Sequence, residues 1–380
     1  MAMSVTYVLW FFGLGIYVPY FPIWLTDRGF DASTIGVLLA VPMVVRIIAI
    51  TPVTHVGDGP LGARRTFLLI ATGAAFAYLG LMLTDGFWSV AIVLTLVSMC
   101  VAGGVPILDA IVLNGIDRHG LDYGRIRFWG STSWLAANLA GGAVLGQLPP
   151  AILPPLLAGL AALAAISALA MPLDGGAGRK QGDADGRAPS LRLFIVFAIG
   201  IALIQGAHAF LLGFSTLMWQ GMGYTAPQIG ILWSVGILIE MAFFLWGTRA
   251  ARLAAPIPMI LIGAACGAVR WILMGFEPTS PLIITLLQSS HFLTYAAVHL
   301  ATMNWLARYS IGRTRRSGWI ATAISIAMAL TTILSGTLFE HVGGRGFFVM
   351  TLLSLAGFAF IAWAGRIERA EEARIAAPTA

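Results

Sequence analysis

The 380-residue sequence is 59% hydrophobic and only 10% charged, and its mean hydropathy is +0.89. Soluble domains carry about 25% charged residues, so this composition excludes a soluble globular protein and a disordered chain. The presence of only 2 cysteines excludes a disulfide scaffold. The formal net charge of +6 resembles that of a nucleic-acid-binding protein, but the basic residues lie between apolar segments, where membrane proteins carry them.

Apolar segments of about 20 residues cross a hydrocarbon core of about 30 Å as α-helices. The sequence contains twelve, at approximately 4–24, 33–55, 67–84, 88–113, 126–147, 151–172, 192–219, 227–247, 257–276, 281–306, 318–339 and 346–364. The N-terminus lacks the basic region of a cleaved signal peptide, so the first segment is expected to stay in the mature chain. The sequence therefore predicts an all-α integral membrane protein with twelve transmembrane helices.

The basic residues between these segments are asymmetrically distributed. If the N-terminus is cytoplasmic, the outward loops hold only Arg28 and Arg345. The inward segments then hold seventeen basic residues: Arg64, Arg65, Arg118, Arg125, Arg179, Lys180, Arg187, Arg192, Arg249, Arg252, Arg308, Arg313, Arg315, Arg316, Arg366, Arg369 and Arg374. The positive-inside rule predicts from this asymmetry that both termini are cytoplasmic.

One connection differs from the other, shorter loops. Residues 173–191 are rich in glycine and charge and lack apolar periodicity, which is typical of a flexible linker. The predicted domains are an N-terminal six-helix bundle at 1–173, a cytoplasmic linker at 174–191, a C-terminal six-helix bundle at 192–366 and a cytoplasmic tail at 367–380.

A segment of the first half recurs 194 positions later. Residues 29–41, GFDASTIGVLLAV, and residues 223–235, GYTAPQIGILWSV, share Gly, Ala, Ile, Gly, Leu and Val in register. Parallel repeats indicate a transporter of two bundles, related by a pseudo-two-fold axis, with its substrate site at their interface. The alternative is a chance similarity between two helix starts rich in glycine and isoleucine. In the same register Arg46 corresponds to Glu240.

A charged residue at the centre of a membrane helix costs about 2.5–3.5 kcal/mol, so each one is a functional candidate. Inside the ends of the predicted spans lie five charged residues and three histidines: Arg46, Asp109, Arg127, Glu240, Arg270, His208, His291 and His299. Three arginines against two acids leave one positive charge to meet an anionic substrate.

Several of these residues have more than one interpretation. Antiparallel helices bring Asp109 and Arg127 to similar depth, so the two are expected to pair, unless Arg127 extends to the headgroups. Arg46, Glu240 and Arg270 lie near mid-span, where a purely structural ion pair is the alternative to substrate binding.

The two candidates with ring side chains also have more than one interpretation. His291 is a proton relay, a hydrogen-bond partner of the substrate or a packed core residue. Trp134 lies within a span and either stacks on a ring-bearing substrate or packs in the core.

Motifs of the common soluble enzymes are absent from the sequence. It contains no P-loop, no His-Glu-x-x-His or paired Cys-x-x-Cys sequence and no Gly-x-Ser-x-Gly elbow. We therefore expect no enzymatic activity, no cofactor and no metal. An intramembrane hydrolase built from Asp109, Glu240 and a histidine is the alternative from another class.

Two segments resemble the lactose-permease-like proteins of the major facilitator superfamily. Residues 17–27, YVPYFPIWLTD, are similar to their first-helix signature, and residues 121–131, LDYGRIRFWGS, to the entry of their fifth helix. The phenylpropionic acid permease branch is more similar still at residues 205–209, 213–215, 219–220 and 266–271. The resemblance spans essentially the whole chain and implies a proton-coupled transporter.

The resemblance implies roles for individual residues. In lactose permease an acid on helix 4 and an arginine on helix 5 bind the sugar, and Asp109 and Arg127 match them. The sugar-stacking tryptophan matches Trp134, the helix 9 arginine matches Arg270 and the helix 10 histidine matches His291.

The chain departs from that family at two positions of mechanistic importance. The family's proton-carrying glutamate is replaced by Thr294, and the helix 11 lysine is missing. Glu240 is therefore the leading candidate for the proton carrier.

Together these features predict a proton-coupled symporter that imports a small organic solute, an aromatic carboxylic acid such as a phenylpropionate. The predicted substrate-binding residues are Arg46, Asp109, Arg127, Trp134, Arg270 and His291, and the predicted proton-coupling residues are Glu240 and Asp109. Alternatives are a sugar or nucleoside symporter and a drug/proton antiporter. We expect the protein to act as a monomer in the bacterial cytoplasmic membrane, with no nucleic-acid partner.

Overall fold

A computed structural model describes residues 2–59, 61–119, 123–171, 188–247, 255–309 and 313–376. The regular secondary structure of this part of the chain is helical, and it contains no strand. Fifteen α-helices follow in order: α1 (Ala2–Asp27), α2 (Ala32–Asp58), α3 (Ala63–Gly80), α4 (Phe87–Ala102), α5 (Gly104–His119), α6 (Tyr123–Leu145), α7 (Leu153–Ala168), α8 (Leu191–Gly206), α9 (Ala209–Gly221), α10 (Ala226–Ala242), α11 (Pro256–Gly275), α12 (Pro281–Ser289), α13 (Val298–Ala307), α14 (Arg313–Val342) and α15 (Phe347–Ala376).

Ten helical stretches of the described chain are long and apolar enough to cross a membrane. One of them, Arg315–Arg374, is 60 residues long and contains most of α14 and α15, joined by the 3-10 turn Gly343–Gly346. The predicted fifth span, 126–147, coincides with α6, which is not among the ten. The all-α membrane fold is therefore confirmed, and the predicted count of twelve spans is compatible with the structure without being established by it.

Large apolar side chains lie on the surfaces of these helices. Leu83 is 87% exposed, Trp246 is 77% exposed and Phe76 is 71% exposed. In water such exposure would leave large apolar patches, whereas in a bilayer the acyl chains cover them. This lipid-facing surface explains why the sequence has so few charges.

Packing divides the chain into two compact units. The first consists of the described residues of Met1–Lys180, Leu212–Ile237 and Thr332–Glu340, and the second of those of Gln181–Leu211, Leu238–Thr331 and His341–Ala380. In the first unit α1 packs on α6 and α7, and in the second α15 packs on α8 and α11. The predicted bundle boundaries stay a prediction, and most of the predicted linker lies outside the described residues.

The second glycine of each repeat copy lies where two helices approach closely, within the first unit. A Cβ atom on Gly36 of α2 would lie 2.8 Å from the Cα of Gly336 on α14. A Cβ atom on Gly230 of α10 would lie 2.5 Å from the backbone oxygen of Asn138 on α6. Only glycine allows these backbone contacts, so the shared register of the repeat corresponds to two close helix crossings.

The start of α2 is held by two carboxylates of the first unit. Asp31 is the N-cap, and its side chain accepts a hydrogen bond from the backbone N–H of Thr34 at 2.7 Å. This bond favours the ionised form and lowers the pKa of Asp31. Glu340 of α14 accepts a second hydrogen bond from the backbone N–H of Ser33 at 3.0 Å. Free N–H groups of the first turn are thereby paired.

We expect Gly36→Ala to destabilise the protein by about 1–3 kcal/mol. The added methyl group would overlap the backbone of α14, and relieving the overlap requires the two helices to move apart. Gly159→Ala is the matched control, since a Cβ atom on Gly159 of α7 meets no atom within 4 Å. Thermal unfolding in detergent measures both variants. Equal melting temperatures for the two would contradict the packing described for Gly36.

The core of the second unit contains a buried carboxylate near the end of α15. Glu368 is 6% exposed, and its Oε1 atom accepts hydrogen bonds from Trp305 Nε1 at 3.0 Å and from the Tyr309 hydroxyl at 3.1 Å. Arg308 Nη1 lies 3.9 Å from the same oxygen. Trp305 also stacks on Phe197, with ring centroids 3.7 Å apart. These contacts join α8, α13 and α15.

Candidate functional site

The second unit contains a buried arginine whose hydrogen bonds all go to neutral groups. Arg270 of α11 is 1% exposed, and the face of Trp271 lies 4.8 Å from its guanidinium carbon. Nη2 donates to Gln288 Oε1 at 2.7 Å, and Nη1 donates to Thr294 Oγ1 at 3.1 Å and to His291 Nδ1 at 3.2 Å. Gln288 and Thr294 had no predicted role in substrate binding.

The guanidinium charge of Arg270 has no internal counterion in the described structure. No carboxylate of the described residues lies within 4.0 Å of its nitrogen atoms. The Nε atom is buried and has no hydrogen-bond partner. A buried charge normally requires a paired opposite charge, and a buried unpaired N–H costs about 1–3 kcal/mol. The guanidinium thus lacks the opposite charge and one of the hydrogen bonds that burial normally requires.

Local structure explains why three acceptors reach one guanidinium. Gln288, His291 and Thr294 follow one another at intervals of three, so successive side chains are neighbours on a helical surface. A π-helical segment, Phe292–Ala297, begins directly after His291. A second one, Phe243–Gly247, follows Glu240. Such turns are rare and concentrate at functional sites.

His208 extends the same network from the break between α8 and α9. Its Nδ1 lies 3.2 Å from the backbone oxygen of Ile204, which can only accept, so Nδ1 carries the proton. Its Nε2 lies 3.2 Å from Thr294 Oγ1. The Thr294 hydroxyl therefore accepts from Arg270, and it can donate its single proton to His208 Nε2 or to the backbone oxygen of His291 at 3.3 Å.

The tautomer of His291 follows from its contact with Arg270. A guanidinium has no acceptor, so Nδ1 of His291 must accept and the ring proton lies on Nε2. That atom is 3.8 Å from Glu240 Oε2. The side chains of His291 and Glu240 are 14% and 23% exposed, and His291 stacks on Tyr295 with ring centroids 5.2 Å apart. His291 therefore lies between the buried guanidinium and a partly exposed carboxylate.

Two of the predicted residues in the first unit are linked through aromatic rings. Asp109 of α5 is half-buried and accepts a hydrogen bond from the Tyr7 hydroxyl. Tyr7 stacks on Phe11 at 5.4 Å, and Phe11 lies 6.3 Å from Trp134 of α6. The structure thus places Asp109 and Trp134 on either side of two aromatic residues of α1.

Two other predictions remain open. Arg46 is exposed on α2, and no hydrogen bond or ion pair joins it to another described side chain. The side chain of Arg127 lies outside the described residues, so the predicted pair of Asp109 with Arg127 stays a prediction. The described residues contain no group of three or more His, Cys, Asp or Glu that could hold a metal ion.

The chain matches the model of the MFS_1 like family over residues 1–350. The chain belongs to this family. It is 30% identical over 366 residues to the "Probable 3-phenylpropionic acid transporter" of Escherichia coli (strain K12), covering 93% of this chain and 94% of that protein. It is 25% identical over 283 residues to the "Maltose permease" of Geobacillus stearothermophilus, covering 72% of this chain and 70% of that protein.

Solved structures agree with this assignment at the level of the fold. The nucleoside transporter NupG superimposes with a TM-score of 0.78 at 15% identity, over 95% of this chain and 98% of that structure. Together these similarities confirm the predicted superfamily and the resemblance to phenylpropionic acid permeases. The chain is a membrane transporter of a small molecule and not an enzyme.

Proposed function

We propose that this transporter is a proton-coupled symporter that imports an aromatic carboxylic acid across the bacterial cytoplasmic membrane. The observation that carries the proposal is the Arg270 guanidinium, which is buried, hydrogen-bonded only to neutral acceptors and left with an unpaired Nε. A substrate carboxylate would supply the missing negative charge. The similarity to a protein called a 3-phenylpropionic acid transporter supports the same substrate class.

A partly exposed aromatic ring, that of Tyr295, stacks on the histidine that contacts Arg270. Tyr295 is 39% exposed and lies parallel to His291, with 10° between the ring planes. Aromatic rings in contact contribute about 0.5–1.5 kcal/mol beyond the burial of their area. We infer that the substrate ring packs on Tyr295 while its carboxylate binds Arg270.

Proton coupling would follow from the position of Glu240 on the far side of His291. Like charges in one partly buried site repel more strongly than in water, because the effective dielectric constant is lower there. A carboxylate on Arg270 therefore favours the protonated form of Glu240, and a protonated Glu240 favours carboxylate binding, because linkage is reciprocal. One proton would accompany one monoanion.

A sugar or nucleoside symporter is the second candidate. The observation that favours it is the group formed by Asp109, Tyr7, Phe11 and Trp134, which offers a hydrogen-bonding carboxylate beside stacked rings. In this case a neutral ring-bearing substrate would bind in the first unit. The predicted roles of Arg46 and Arg127 stay predictions under either candidate.

Uptake into proteoliposomes separates the two candidates. We expect labelled 3-phenylpropionate to accumulate when the lumen is made alkaline, because an inward proton gradient drives symport. Unlabelled aromatic acids should compete, whereas neutral glycosides and nucleosides should not. Accumulation of a glycoside or nucleoside with no effect of aromatic acids would contradict the proposal and favour the second candidate.

Binding without transport gives an independent measurement. A ligand stabilises the folded protein by RT ln(1 + [L]/Kd), so a concentration of about 100 Kd adds about 2.7 kcal/mol. We expect aromatic acids, and not sugars or nucleosides, to raise the melting temperature of the detergent-solubilised protein.

A further inference from the structure

Gln288 contacts one of the two nitrogens on an edge of Arg270 that a carboxylate can bind. Nε and Nη2 lie on one edge of a guanidinium, and a carboxylate binds such an edge through two parallel hydrogen bonds. In the structure the single Oε1 atom of Gln288 accepts from Nη2 at 2.7 Å, while Nε has no partner. Of the two nitrogens on this edge, one is therefore bonded to an amide oxygen and the other has no hydrogen-bond partner.

The groups around this edge are neutral on every side that the structure describes. Trp271 lies over the guanidinium from α11, and Thr294 and His291 contact it from beyond the end of α12. His208 joins through the Thr294 hydroxyl. Gln288 itself is 2% exposed, so bulk water does not compensate the charge at this position. The groups that contact the guanidinium thus do not neutralise its charge.

We propose that Gln288 is the residue that sets the charge of the substrate. Its amide pairs one N–H of Arg270 without neutralising the guanidinium, and the substrate carboxylate replaces it on the Nε and Nη2 edge. A carboxylate in place of the amide would bond both nitrogens from within the protein and leave no net charge for the substrate to meet. This inference rests on the proposed function, because it assigns Arg270 as the carboxylate site.

Gln288→Glu tests the inference with almost no change of shape. We expect the variant to bind 3-phenylpropionate at least about 100-fold more weakly, since an internal carboxylate competes at contact distance. Affinity for the neutral amide, 3-phenylpropionamide, should change by less than about fivefold. The preference for acid over amide, measured by calorimetry or thermal shift, should therefore disappear.

Gln288→Met is the matched control, since it keeps the length of the side chain and adds no charge. It should retain the preference for the acid, although its affinity for both ligands can change. Thr294→Asp and Thr294→Asn form a second pair with the same logic, should Gln288→Glu fail to fold, because Thr294 Oγ1 lies 3.1 Å from Arg270 Nη1. The aspartate should remove the preference and the asparagine should keep it.

The outcomes separate this inference from the proposed function. If the unmodified protein prefers the acid and Gln288→Glu keeps that preference, the inference is wrong and the proposed function stands. If Gln288→Met and Gln288→Glu lose the preference equally, the role of Gln288 is structural and the inference is also wrong. If the unmodified protein binds the amide as tightly as the acid, both the proposed function and the inference are overturned.

Discussion

Replacing Arg270 by glutamine is expected to lower the affinity for an aromatic carboxylate by at least about 100-fold and to abolish its uptake. A hydrogen bond to a charged group contributes about 1.5–3 kcal/mol, and a tenfold change in affinity corresponds to about 1.4 kcal/mol. The variant removes both the charge and the edge that binds two oxygens. Thermal shift with 3-phenylpropionate measures the loss directly.

Two further variants test whether the loss of affinity comes from the charge and the shape of the Arg270 side chain. Arg270→Lys keeps the charge but cannot present two parallel N–H groups, so we expect binding between that of the unmodified protein and that of Arg270→Gln. Arg345→Gln changes an exposed arginine in the turn Gly343–Gly346 and should leave binding unchanged. Undiminished ligand stabilisation in Arg270→Gln would show that the carboxylate binds elsewhere.

Replacing Glu240 by glutamine should uncouple substrate movement from the proton gradient. The amide preserves the size of the side chain beside His291 but cannot gain and lose a proton. We expect accumulation driven by an imposed pH gradient to fall at least about tenfold, while exchange of labelled for unlabelled substrate persists. Exchange needs no net proton movement, so its survival shows that the variant is folded and binds substrate.

The matched control for this prediction is Glu372→Gln, which removes an exposed carboxylate near the end of α15. Its accumulation and exchange should both match those of the unmodified protein. If Glu240→Gln still accumulates substrate against a gradient, another group carries the proton. If exchange is lost as well, Glu240 acts in binding and the coupling role assigned to it is wrong.

Much of the candidate site was visible in the sequence because charges are costly in a bilayer. Arg270, His291 and Glu240 interrupt apolar spans, and this alone identified them as candidates. Gln288 and Tyr295 were missed because a single amide or phenol in a membrane helix carries a much smaller cost and is common at helix contacts. The available signal for Gln288 was its spacing of three residues from His291.

The burial of Glu368 was also not predicted from the sequence. This residue lies beyond the predicted last span, 346–364, where a charged residue is read as part of a solvated tail. In the structure α15 extends to Ala376, and Glu368 is buried against Trp305 and Tyr309. Helix length past a hydrophobic segment is set by packing, which hydropathy does not record.

The sequence by itself determined that this protein is a helical membrane protein, because hydrophobic length and the scarcity of charge depend only on local composition. Its internal repeat and its resemblance to lactose-permease-like proteins indicated a transporter. It also determined which ionisable residues lie within spans. The tertiary structure decided which partners they meet, since distances across helices depend on packing. Only that packing shows that Arg270 contacts Gln288, Thr294 and His291 instead of a carboxylate, and that His291 lies between it and Glu240.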